Sequence, residues 1–239
     1  MSTIFEDRHV IVTGGTGALG KAVVQLLLDK GARCSIPSHR DTISESINDL
    51  EQDRYIQTGV DLTSEESAQQ FYAKAVSEQG PLWASIHTAG GFGTGPIGET
   101  DADAFNHQFR LNTLTCYNSC RAAVQQIRPS KYQGGRIVNI AARPALDPRK
   151  GSGMSAYTVS KAGVWALTQS LAEEVAGDDI LVNAIAPSIF DTPQNRSSMP
   201  NADYDEWQKP EQVARHILHL ASPVNEVIRG AVVPVFGAK

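Results

Sequence analysis

Tyr157 and Lys161 stand four residues apart in Ser155-Ala156-Tyr157-Thr158-Val159-Ser160-Lys161, which follows a loop containing Pro and Gly and opens an apolar stretch. On a helix that spacing stacks both side chains on one face. An ammonium beside a phenol favours the phenolate and lowers the tyrosine pKa toward working pH. The pair therefore has the makings of a proton donor for a reduction. A surface tyrosine next to a solvated lysine has the same spacing, so the rest of the chain must decide between the two.

A second stretch with chemical content is Thr13-Gly14-Gly15-Thr16-Gly17-Ala18-Leu19-Gly20, which holds GxGxxG at Gly15, Gly17 and Gly20. It joins the apolar run 9–12, a short buried strand, to a helix expected over 18–30 with Leu19, Val23, Leu26 and Leu27 as its stripe and Gly31 at its C′ position. Between a first strand and a first helix, such glycines let backbone approach a pyrophosphate at the positive helix N-terminus. A carboxylate at the end of the second strand would bind a ribose 2′-hydroxyl. This chain has Ser38-His39-Arg40 there, a hydroxyl and cations suited to a 2′-phosphate. The expected cofactor is NADP(H), with NAD(H) open and helix-cap or surface roles open for Arg40 and Asp41.

These residues need a scaffold, and the order of apolar runs supplies one. Strands are expected over 32–37, 55–60, 83–88, 136–141, 180–186 and 232–236. The helices between them are expected over 43–50, from a capping box at Thr63-Ser64-Glu65-Glu66, over 103–127, from Tyr157 to about 176, and over 211–220. This alternation implies an α/β fold, a Rossmann-type doubly wound parallel sheet of seven strands with helices on both faces and ligands at the carboxyl ends of the strands. Residues 1–239 read as one domain. The segment 187–210 is long for a plain connection and reads as an irregular substrate lid. With 239 residues, 41% of them hydrophobic and 20% charged, the chain can bury a sizeable core. A net charge of −5 argues against a nucleic-acid surface. The sequence has no membrane-spanning run and no signal-peptide core, so a cytoplasmic location is expected. Cys34, Cys116 and Cys120 give an odd count without CxxC spacing. Cys116 and Cys120 share a helical face, but with no His pair beside them in sequence no metal site is expected.

Together TGGTGALG, the YxxxK at Tyr157 and Lys161, and Asn112 in the long helix resemble the short-chain dehydrogenase/reductase family. Ala89-Gly90-Gly91 and Val182-Asn183-Ala184 followed by Pro187 extend the resemblance over essentially the whole chain. It implies hydride transfer from a nicotinamide, with Tyr157 as proton donor and Lys161 lowering its pKa and binding the nicotinamide ribose. Asn112 would hold a water that links Lys161 to solvent; its alternative is a helix-interior polar residue without a role. Asp61 and Leu62 match the adenine pocket, although Asp61 also reads as a turn residue. Pro187, Ile189 and Thr192 match the contacts past the sixth strand, Thr192 meeting the carboxamide. Family members associate through the long fourth and fifth helices, which implies a homodimer or homotetramer.

The chain departs from the family in several places, with Ala18 at a site that is usually Gly and Ser188 in place of the Gly after Pro187. His87-Thr88 replaces a pair of Asn residues, and Ala142 falls where a catalytic Ser ends the fifth strand. Losing one such donor from a reductase of simple ketones would cost about 2.7–4 kcal/mol of transition-state stabilisation, and Ser152 and Ser155 are the nearby hydroxyls. One reading is a cofactor-binding sensor without turnover. The other is a reductase of a small carbonyl or conjugated acceptor that does not need the hydroxyl. The segment 191–203, Trp207 beyond it, Ala145-Leu146-Asp147 and Phe92 after Ala89-Gly90-Gly91 resemble quinonoid dihydropteridine reductases, whose acceptor is already electron-poor.

Overall fold

The apolar runs read from the sequence become strands that all point one way. In the computed structural model, which describes residues 3–42 and 54–237, they are β1 (His9–Thr13), β2 (Arg33–Pro37), β3 (Arg54–Gln57), β4 (Leu82–His87), β5 (Gly135–Ile140), β6 (Ile180–Pro187) and β7 (Val232–Val235). Every pairing is parallel, in the order β3-β2-β1-β4-β5-β6-β7. The helices are α1 (Ala18–Leu28), α2 (Glu65–Gln79), α3 (Ala102–Phe109), α4 (Thr115–Ile127), α5 (Arg143–Leu146), α6 (Ser155–Glu174), α7 (Pro193–Ser198) and α8 (Pro210–Ala221). This is the seven-stranded Rossmann-type α/β fold expected.

The period of two along each strand splits the core into two layers. Val10, Val12, Val138 and Ile185 pack with Val23 and Leu27 of α1 and Val213 and Ile217 of α8. Ile11, Ile137 and Val182 point the other way, onto Phe71 and Tyr72 of α2, Cys120 and Ile127 of α4 and Val164 of α6. Strand order reverses between β1 and β4, so the carboxyl ends of these two strands open a crevice.

Several boundaries differ from the sequence expectation, each for a local reason. The end of α1 is a Schellman motif, with Ala32 N donating to Leu27 O and Gly31 N to Leu28 O at Gly31 φ +84°, so Gly31 does occupy C′. The helix expected over 43–50 lies outside the described residues. At α2 the N-cap is Ser64, whose hydroxyl accepts from Ser67 N at 3.3 Å. Thr63 is held outside the helix because its N–H donates to Asp61 Oδ1 at 2.8 Å, and the Thr63–Glu66 capping box does not form. The helix expected over 103–127 is interrupted by a π turn, Arg110–Leu114. The segment 187–210 is not irregular: it contains α7, with Pro193 in its first turn, and a 3-10 turn at Tyr204–Glu206. The short helix α5 was not expected at all. Among the described residues no helix is long and apolar enough to cross a membrane.

Candidate active site

At the crevice, the loops after β1 and β4 are sewn together. Thr88 donates to Thr13 O through its N–H at 3.0 Å and its hydroxyl at 2.7 Å, and Ala89 N donates to Thr13 Oγ1 at 3.4 Å. Gly14 takes a left-handed φ of +68°, and a Cβ there would lie 2.5 Å from Ala89 N. A Cβ on Gly20 would overlap Gly14 O, so Gly14 and Gly20 let loop, helix and β4 close on one another. Gly15 packs on Ile36 of β2, and Gly17 N donates to Gly14 O at 2.9 Å, which turns the chain through Thr16 into the helix.

The helix start suits an anion. α1 begins after Gly17 with no side-chain cap and no acid in its first turn, whereas α2 and α3 are capped by Ser64 and Asp101. Uncapped N–H groups at the positive end of a helix are what a pyrophosphate requires. Beside Ala18 and Lys21 a cleft of about 520 Å³ runs to Thr192, Arg196 and Lys209. The structure thus brings Thr192 to the glycine loop, although 174 residues separate Ala18 from Thr192 in sequence. Thr192 also caps α7, its oxygen accepting from Asn195 N at 3.2 Å, which leaves its O–H free to donate. Pro187 ends β6 and is buried, and Ile189 is exposed two residues on.

The three residues at the end of β2 separate. Ser38 is buried, and its hydroxyl accepts from Arg40 N at 3.3 Å, so it shapes the turn; His39 and Arg40 are exposed beyond it. Accepting this bond leaves the Ser38 O–H free to donate. Asp61 makes the turn bond to Thr63 noted above, and Leu62 is buried with its carbonyl held by Asn118 Nδ2 at 3.0 Å.

Tyr157 and Lys161 lie on α6 as the spacing requires, but among the described residues no hydrogen bond joins them. Lys161 is buried and donates to Ile140 O, at the end of β5, at 2.9 Å. Burial draws its ammonium down to a pKa of about 8, with the Cys116 thiol opposing that trend. The Tyr157 ring meets Phe92 edge-on, with centroids 5.0 Å apart, and burial pushes its phenol up to about 12. In the cofactor-free protein desolvation dominates both groups, so the phenol lies above its ordinary value.

Asn112 sits inside the π turn, a placement its sequence spacing did not signal. Its Oδ1 accepts from Gly91 N at 3.0 Å, and its Nδ2 donates to Gly91 O at 3.0 Å, Gln108 O at 3.2 Å and Ser160 Oγ at 3.1 Å. Ser160 Oγ in turn donates to Tyr157 O at 2.7 Å. Asn112 therefore ties the loop after β4 to the turn that carries Tyr157. A Cβ on Gly90 would lie 2.6 Å from Asn112 Oδ1 and 3.4 Å from Lys161 Nζ, so glycine leaves room for both groups to approach this loop. Ala142 is buried in extended backbone as the N-cap of α5 and brings no hydroxyl. Ser152 and Ser155 are exposed.

One constellation escaped the sequence reading. His87, at the end of β4, meets Cys116 and Cys120, and the three ligand atoms lie within 4.8 Å of one another in the core. Only strand order could have revealed it.

A family model described as short chain dehydrogenase matches residues 8–203. The chain is 28% identical over 254 residues to the 3-oxoacyl-(acyl-carrier-protein) reductase FabG of Chlamydia muridarum, covering 99% of each. It is 29% identical over 250 residues to the cis-4-hydroxycyclohexanecarboxylate dehydrogenase of Sinomonas cyclohexanicum, covering 99% of this chain and 98% of that one. The solved structure of ElxO with NADP bound matches with a TM-score of 0.87 at 26% identity, over 95% of this chain and 96% of that chain.

Proposed function

The chain belongs to the short-chain dehydrogenase family, and on that premise we propose that it is an NADPH-dependent reductase of a small carbonyl or conjugated acceptor. The observation that carries this reading is the approach of both Lys161 and Asn112 to Gly90, with Tyr157 one turn before Lys161 on α6 and the uncapped start of α1 at the same sheet edge. A bound nicotinamide supplies the hydride. Tyr157 holds the proton that the acceptor takes up, and its raised pKa keeps that proton in place at neutral pH. Lys161 would hold the nicotinamide ribose and, when charged, would favour departure of the Tyr157 proton. Asn112 and Ser160 fix the Gly91 loop and Tyr157 relative to one another. Gly14 to Gly20, Asp61, Leu62, Ala89 to Gly91, Pro187, Ile189 and Thr192 would hold the cofactor, and residues 187–210 would act as the substrate lid. Exposed Phe105, Phe109, Tyr117 and Trp165 support assembly into a homodimer or homotetramer through the long helices.

Exposed His39 and Arg40 favour the 2′-phosphate. NADPH is expected to give a KM at least about tenfold below that of NADH, the worth of one charge-assisted contact. Arg40→Asp should remove most of that difference. A preference of the unaltered enzyme for NADH would overturn the NADPH assignment.

Ala142 supports a second reading, a cofactor-binding sensor without turnover. Screening NADPH oxidation against quinonoid dihydropterin, quinones, diketones and β-ketoacyl thioesters separates the two: failure of every acceptor despite tight NADPH binding favours the sensor. Ala142→Ser carries its own signature. A hydroxyl at this extended N-cap should cap α5 and stabilise the protein by about 0.5–2 kcal/mol. If it also reaches the acceptor, turnover of simple ketones should rise by about 10². Thermal melting and steady-state kinetics read the two effects independently.

A further inference from the structure

We propose that His87 Nδ1, Cys116 Sγ, Cys120 Sγ and Asn139 Oδ1 form a closed, structural site for a zinc-class metal ion beneath the active-site loop. The four residues come from β4, α4 and β5, and all are buried. Cys120 Sγ lies 3.6 Å from His87 Nδ1 and 3.5 Å from Asn139 Oδ1. Tetrahedral zinc, with bonds of about 2.3 Å to sulfur and 2.0–2.1 Å to nitrogen or oxygen, places such donors about 3.5 Å apart.

The surroundings orient each donor. Thr168 Oγ1 donates to Val164 O at 2.8 Å and must therefore accept from Asn139 Nδ2 at 2.9 Å, which turns Asn139 Oδ1 toward the thiols. His87 Nε2 lies 2.8 Å from Ser85 Oγ and 3.3 Å from the Tyr72 hydroxyl. In the metal-free protein Nδ1–H donates to Asn139 Oδ1 and Nε2 accepts from Ser85 Oγ; loading requires the tautomer with Nε2–H donating to Ser85 Oγ, which releases the Nδ1 lone pair to the ion. Nδ1 now faces Asn139 Oδ1 at 2.8 Å, so loading opens that contact by about half an ångström.

Charge balances on binding. The dication displaces two thiol protons, His87 stays neutral with its proton on Nε2, and the site carries no net charge. Neutrality is what a position this dry requires. Cys116 lies one helical turn beyond Asn112, so the ion would brace the helix that holds Gly91. The ligands are spread over 87, 116, 120 and 139, which is why no spacing motif marks them.

Because the site is enclosed, the ion must enter during folding. The test refolds the full chain from guanidinium under reducing, metal-free conditions with Co²⁺ as the probe. One equivalent should bind, with the near-ultraviolet thiolate-to-cobalt band and the visible bands of a tetrahedral centre, and Zn²⁺ present during refolding should suppress them. The Cys116→Ala/Cys120→Ala double variant should refold without those bands, and His87→Asn should weaken them. Refolded protein without a thiolate band, or a band that persists in the double variant, overturns the site and leaves a hydrogen-bonded core cluster. If the variants fail to fold, the unaltered chain decides: zinc during refolding should raise its melting temperature over chelator, and equal melting temperatures overturn the proposal.

Discussion

Tyr157→Phe is expected to lower turnover by about 10²–10⁴-fold while NADPH binding and thermal stability hold. The change removes one oxygen and leaves the ring, so the edge-on contact with Phe92 survives. The α6 turn also survives, because Ser160 bonds to the Tyr157 backbone carbonyl, which the substitution does not touch. What disappears is the phenolic proton carried on α6 four residues before Lys161. Steady-state turnover with an active acceptor, fluorescence titration of NADPH and a thermal melt measure the three quantities separately. Unchanged turnover would falsify the role of Tyr157 as the acid. A loss that appears only in KM would make Tyr157 a binding residue, because an interaction confined to the transition state lowers kcat.

Much of this arrangement was legible in the sequence, because its determinants are local. GxGxxG after an apolar run announces a helix start with bare N–H groups, and four-residue spacing on a helix puts Tyr157 and Lys161 on one face. The strand count and parallel winding follow from alternating apolar runs, and the parallel sheet in turn places both motifs at one edge. What stayed hidden depends on competition between partners distant in sequence. A composition-based reading gives Lys161 to Tyr157, whereas the fold gives it to Ile140 O, because the end of β5 lies under α6. The π turn at Asn112, and with it the bond between its amide and Gly91, leaves no mark in the spacing. Thr63 looks like a cap until the Asp61 carboxylate takes its N–H. Nothing in the spacing shows that the Ser38 hydroxyl accepts from the Arg40 amide and so sets the turn that presents Arg40. The His87, Cys116 and Cys120 cluster has no sequence signature, since it arises from β4 packing against α4.

Lys161→Met should abolish most reductase activity and at the same time stabilise the cofactor-free protein at neutral pH. Methionine has similar length and no charge, so the buried volume is kept while the desolvated ammonium is removed. Burial lowers the Lys161 pKa from 10.5 to about 8. Between those values the unfolded chain binds more protons than the native one, so this residue makes stability rise with pH through the window. Below about pH 8 the destabilisation is complete, and it amounts to about 3 kcal/mol for a shift of this size. Losing the donor to Ile140 O offsets about 1 kcal/mol of the gain. Denaturant melts at pH 7 should therefore show the Met variant ahead by about 1–3 kcal/mol, with the lead vanishing as pH approaches 10.5. Turnover of the unaltered enzyme should fall above about pH 8, as Lys161 loses its charge while Tyr157 keeps its proton. A Met variant less stable than the parent at pH 7 would show that the ammonium is held by more than it loses to burial. In that case the Lys161 charge belongs to the resting structure and is not strained there for catalysis.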